Sequence, residues 1–191
     1  LLLTFSFLWF TYLSSKLGEN FLAVNAILLQ FLAMSSFLLD AYAFSTEGII
    51  GYSIGNRNLK MFSTTVKNSI ELSFFTGILI SLFYLLFFKE IVNYLTDSDI
   101  IRYITYSFLF WIILLPPVSS IAYQLDGIFI GASQSQVIRN GMIISSLLYI
   151  FLSFNLTKIF ENNGLWLSMV LFMIFRSLTL RLFFYKIVKK F

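Results

Sequence analysis

The chain is divided by stretches that carry no Asp, Glu, Lys or Arg. They are Leu1–Ser15, Asn20–Leu39, Leu72–Phe88, Tyr103–Leu125, Asn140–Thr157 and Asn162–Phe175, with 15, 20, 17, 23, 18 and 14 residues. A helix needs about 20 mainly apolar residues to cross about 30 Å of hydrocarbon. The second to fifth runs meet or approach that length, and the last continues past Arg176 to about Tyr185. The runs are long and do not alternate, which favours helices over barrel strands. The sequence thus predicts an all-α membrane protein, a bundle of six transmembrane helices at about 1–16, 21–53, 63–90, 100–132, 136–158 and 164–187. Leu1–Ser15 lacks the basic flank and cleavage site of a signal peptide. It reads as a transmembrane helix cut at its start, so the chain is expected to be a fragment.

Composition supports this. Hydrophobic residues make up 59% and charged residues 12%, with mean hydropathy +0.87. Soluble domains are about 45–50% apolar and about 25% charged. That excludes a disordered chain, a nucleic-acid-binding domain and an ordinary cytosolic enzyme. The sequence has no Cys and no His, so disulfide, thiolate and imidazole chemistry are absent, and neither an enzyme nor a cofactor or metal is expected. The basic residues form no long cluster beside aromatics, so nucleic acid is not an expected partner.

Charge placement sets an orientation. Arg57, Lys60, Lys67, Arg139, Arg181, Lys186, Lys189 and Lys190 fall on one side without an acid, whereas Lys16, Lys89, Arg102 and Lys158 share the other with Glu19, Glu90, Asp97, Asp99 and Glu161. The positive-inside rule then makes the C-terminus cytoplasmic. Short turns rich in Gly, Asn, Asp and Ser connect the spans, including Glu161-Asn162-Asn163-Gly164. Tyr94, Tyr103, Tyr106 and Trp166 fit an interfacial aromatic belt.

Five ionisable residues fall inside spans: Asp40, Glu47, Glu71, Asp126 and Arg176. A charge at the bilayer centre costs about 2.5–3.5 kcal/mol on insertion scales, so each needs a reason. Glu71 follows Lys67 by one helical turn, and an interfacial ion pair accounts for it. Arg176 needs an anionic partner or takes part in substrate or coupling chemistry. Asp40 and Glu47 share a helix face, roughly 10 Å apart. Counting back from the following turns places Asp126 level with Glu47 and Asp40 one ring deeper. Such acids either bind helices together or carry a proton across the membrane. Gly51-x-x-x-Gly55 and Gly127-x-x-x-Gly131 allow close helix approach. Pro116-Pro117 should bend its helix, either as static packing or by freeing carbonyls toward a cavity.

Three segments carry a family resemblance. Leu38–Gly48 running into Gly51-Tyr52-Ser53-Ile54-Gly55-Asn56-Arg57 resembles the eighth helix of multidrug and toxic compound extrusion (MATE) transporters. Leu125–Ser133 followed by Arg139-Asn140-Gly141-Met142 resembles the tenth, and Asn163-Gly164-Leu165-Trp166-Leu167 resembles the start of the twelfth. The pattern is most similar to the DNA-damage-inducible protein F branch. The resemblance implies the C-terminal lobe of a twelve-helix antiporter, which exports bulky, often cationic organic compounds against protons or sodium. Its partners would be the lipid bilayer, an N-terminal lobe and a small organic substrate. The family's tenth-helix aspartate falls on Asp126, with Tyr123 and Gln124 beside it as site-lining candidates. In sodium-coupled relatives that aspartate works with a seventh-helix acid, and Leu1–Ser15 has none. The expected coupling-ion candidates are Asp126, Asp40 and Glu47, with Arg176 as a further site-lining residue. Alternatives are a flippase for lipid-linked precursors or polysaccharide in the same superfamily, and an inactive remnant lobe.

Overall fold

The computed structural model describes residues 2–189. Leu1 and Lys190, used above for the first span and the charge bias, lie outside the described residues. The elements are α1 (Leu2–Lys16), α2 (Glu19–Gly55), α3 (Leu59–Leu95), α4 (Asp99–Tyr106), α5 (Leu109–Gly131), α6 (Ser135–Leu182) and α7 (Tyr185–Val188). Helix α6 is two limbs rather than one rod. Glu161 leaves the helix with φ 48° and ψ −129°, and the chain doubles back. Tyr149 then packs on Phe172 at 5.2 Å between ring centroids, and Gly141 faces Thr179 and Leu180. At the bend Gly164 lies on the Leu156 carbonyl, where a side-chain carbon would collide. Six long helical limbs result (α1, α2, α3, α5, 135–160 and 162–182), with no strand among the described residues.

The fourth predicted span is not continuous. Helix α4 stops at Tyr106, and α5 begins at Leu109. At the break the backbone tightens to three-residue turns, with Ser107 N–H donating to the Ile104 carbonyl and Phe108 N–H to that of Thr105. Arg102 ties α4 to the preceding helix. Its Nε donates to the Thr96 carbonyl at 2.8 Å and its Nη2 to the Asn93 carbonyl at 3.0 Å. It thereby satisfies carbonyls left open at the end of α3 and holds α4 against that end. Asp99 and Asp97 neutralise it at 3.2 and 3.7 Å.

Helix α5 is central, packed against α2, α3 and α6. On one side Gly127 meets the Ala43 backbone, and Gly131 meets that of Glu47. A Cβ on Gly127 would sit 2.5 Å from the Ala43 carbonyl oxygen. Gly51 faces Gly131, whereas Gly55 has nothing within 4 Å, so one of the two glycine pairs makes the close approach in full. On the other side α5 runs as helix through both prolines. Pro117 has no N–H for the Ile113 carbonyl. Ser81 Oγ, 2.6 Å away on α3, donates instead. Gly77 makes room, since its Cβ would sit 2.9 Å from both the Pro116 oxygen and Pro117 Cα. This freed carbonyl is therefore bonded to a neighbouring helix, as static packing requires.

Trp166 does not join an interfacial belt. It is fully buried, and its Nε1 donates to Asn25 Oδ1 at 2.9 Å. Asn25 and Asn162 exchange amide hydrogen bonds of 2.6 and 3.1 Å, and Asn25 also donates to Ser14. Every hydrogen-bonding position of the Asn25 amide is filled, which ties α1, α2 and the second limb of α6 together. Of the four belt candidates, Tyr94 and Tyr103 are exposed, at 91% and 80%.

Replacing Gly127 or Gly131 by Ala should cost about 1–3 kcal/mol through backbone overlap, whereas Gly55→Ala should cost little. Denaturant titration of the full-length protein in mixed micelles measures this. Equal losses at Gly127 and Gly55 would contradict the packing described.

Candidate functional site

The glycine contacts fix the depth of Asp126. Gly127 lies on Ala43 and Gly131 on Glu47, so Asp126 is level with Tyr42–Ala43. It sits between Asp40 and Glu47, about 3 Å along the axis from Asp40, not level with Glu47 as counting from the turns implied. The cause is unequal helix length. Gly131 ends α5 against Glu47 and Gly51, while α2 continues to Gly55.

Three elements bring charges together here. From the second limb of α6, Arg176 Nη2 binds Asp126 Oδ2 of α5, with side-chain exposures of 6% and 15%. The guanidinium carbon lies 5.3 Å from the Tyr123 ring centroid, within cation–π range. The Tyr123 hydroxyl is 2.6 Å from Ser36 Oγ on α2, one turn before Asp40. Asp40 is half-buried and interacts electrostatically with both Arg176 and Asp126. Among the described residues its carboxyl makes no hydrogen bond or ion pair. With both acids ionised the trio carries one surplus negative charge, which a single proton would cancel.

Several buried polar atoms in this region have no protein partner: Asp126 Oδ1, Arg176 Nε and Nη1, and Gln124 Nε2. Gln124 is fully buried and points to α2, where Thr46 Oγ1 lies 3.0 Å from its Oε1. Glu47 makes no side-chain hydrogen bond or ion pair among the described residues, and its backbone serves as the seat for Gly131. Glu71 pairs with Lys67 at 3.9 Å with both side chains well exposed, a weak surface pair. Pro116 and Pro117 contribute packing against Gly77 rather than a polar group to the trio.

Ser36 and Thr46 are site neighbours that a search for charge misses. The available signal was spacing, since Ser36 precedes Asp40 by one helical turn and so shares its face.

A family model described as MatE matches residues 1–155. The chain is 31% identical over 180 residues to DNA damage-inducible protein F of Escherichia coli (strain K12), covering 94% of this chain and 39% of that protein. It is 24% identical over 167 residues to Protein DETOXIFICATION 43 of Arabidopsis thaliana, covering 87% of this chain and 32% of that protein. It therefore spans about a third to two-fifths of the length of these relatives. Among solved structures it resembles an outward-facing multidrug resistance MATE family transporter of the MOP superfamily, with TM-score 0.85, 15% identity, and coverage of 98% of this chain and 44% of that chain. It also resembles a MOP superfamily transporter from Pyrococcus furiosus, with TM-score 0.83, 19% identity, and coverage of 97% and 42%. These two likenesses establish the fold.

Breaking the buried pair from either side leaves an uncompensated charge. Asp126→Asn and Arg176→Gln should each destabilise by about 3–5 kcal/mol, and the double variant should recover much of that loss. A double-mutant cycle in mixed micelles reads the coupling, and additive losses would show that the pair is not a unit.

Proposed function

Because the chain belongs to the MatE family of multidrug and toxic compound extrusion transporters, we propose that it forms the C-terminal lobe of a secondary transporter. In this reading, the transporter exports organic, often cationic compounds in exchange for a proton by alternating access between two lobes. The chain is an integral, multi-pass membrane protein and not an enzyme. The charge bias of its turns supports a cytoplasmic C-terminus.

The observation that carries the proposal is the unpaired Asp40 carboxyl beside the Asp126–Arg176 pair. A proton needs a single oxygen lone pair. Sodium needs several oxygen ligands, and at Asp126 it would sit against a guanidinium that already holds one carboxylate oxygen. In this account Asp40 binds and releases the proton, Asp126 holds Arg176 in place, and Tyr123 covers the guanidinium. Glu47 is a secondary candidate farther along the same helix. A flippase for anionic lipid-linked precursors would call for a basic lining, whereas Arg176, the deep basic side chain, already has its carboxylate.

The test is exchange by the full-length protein in proteoliposomes under a pH gradient. Asp40→Asn should lower proton-driven exchange by about tenfold or more while substrate binding persists. Glu47→Gln should have the smaller effect. Unchanged proton coupling in Asp40→Asn would refute the site assignment.

A further inference from the structure

Helix α3 and the second limb of α6 flank α5 without closing over it. The seam between them contains a pocket of about 450 Å³ with an almost wholly apolar wall. Phe74 comes from α3, Pro117, Val118 and Ile121 from α5, and Leu178 and Arg181 from α6. Arg181 is its charged residue and lies at the basic end of the bundle. The Arg181 guanidinium makes no hydrogen bond or ion pair among the described residues. One turn beyond Arg181, Phe184 lines a second pocket of about 630 Å³, between the first turns of α3 and the end of the bundle at α7. Phe62, Val66 and Val188 line that pocket, with Lys60 and Lys67 at its rim. Lys60 is also unpaired among the described residues, and Lys67 has only its exposed partner Glu71. From Lys60 to Phe74 the α3 wall rises about 21 Å, a length suited to one lipid leaflet.

We propose that this seam is a binding site for an anionic phospholipid. One acyl chain lies over Pro117, Val118 and Ile121, and the phosphate sits between Arg181 and the Lys60–Lys67 rim. The chemistry of the walls favours this occupant. An apolar trough suits an acyl chain, and a chain ending on unpaired cations at the basic side of a membrane protein suits an anionic headgroup. A protein segment would leave Arg181 and Lys60 without an acid unless it supplied one. The site is separate from the Asp40–Asp126–Arg176 trio and stands whether or not that trio carries protons.

Native mass spectrometry of the full-length protein tests this after release from nanodiscs of equal parts phosphatidylglycerol and phosphatidylcholine. The wild type should retain phosphatidylglycerol in preference. Exposed Lys60→Gln and Arg181→Gln should each reduce that preference by about fivefold, as expected for one basic residue near an anionic surface. Val118→Trp, which fills the trough, should reduce retention of both lipids. The double variant Arg57→Gln/Arg139→Gln removes two charges from the same end outside the seam, more than either single variant, and should leave the preference unchanged. Equal retention of the two lipids by the wild type would overturn the proposal. An equal loss in the Arg57/Arg139 control would also overturn it, assigning the preference to surface charge at large. Retention unaffected by Val118→Trp would likewise overturn it, assigning the seam to protein such as a second lobe.

Discussion

Helix α5 is held against α2 at a separation only glycine permits. Packed helices normally stand about 8–10 Å apart, according to the side chains between them. At Gly127 and Gly131 there is no side chain, and backbone meets backbone at Ala43 and Glu47. That contact fixes the axial register of α5, and the register sets which acids can meet. The opposite face of α5 is held in a similar way, with Gly77 under the two prolines and Ser81 bonded to the carbonyl that Pro117 leaves open. Held on both sides, α5 presents Tyr123 and Asp126 to Arg176 and places them within reach of Asp40.

Within that frame, electrostatics divides the labour between the two aspartates. In a low-dielectric interior an ion pair is tolerable and a lone charge is costly. Asp126 and Arg176 cancel each other at the centre of three helices. Asp40, half-exposed on α2, holds the surplus charge. In the proposed proton-coupled reading, Asp40 is the group that changes charge and the Asp126–Arg176 pair is the scaffold that does not. The second limb of α6 brings Arg176 to the site only because the chain reverses at Glu161, where Gly164 lets the two limbs touch.

The fold class was legible because bilayer crossing demands long uncharged runs, and those runs are visible without any knowledge of contacts. The deep charges were legible for the same reason, as Asp40, Asp126 and Arg176 interrupt sequence that should hold none. Relative depth was not legible. Counting from turns treats every helix as ending at one level, whereas α2 overshoots α5. The fate of the proline carbonyl was hidden because its donor, Ser81, belongs to another helix. Trp166 looked interfacial by position, but Asn25 gives its N–H a buried partner. The docking of α4 on the end of α3 depends on Arg102 binding carbonyls of that helix, whereas charge counting assigns Arg102 simply to a loop.

Infrared difference spectroscopy of the full-length protein in lipid tests the central claim most directly, that the exchangeable proton resides on Asp40 while Asp126 stays ionised with Arg176. Spectra taken across a pH step should show a protonated-carboxyl band that disappears in Asp40→Asn and persists in Asp126→Asn. A band that persists in Asp40→Asn and disappears in Asp126→Asn would contradict the account.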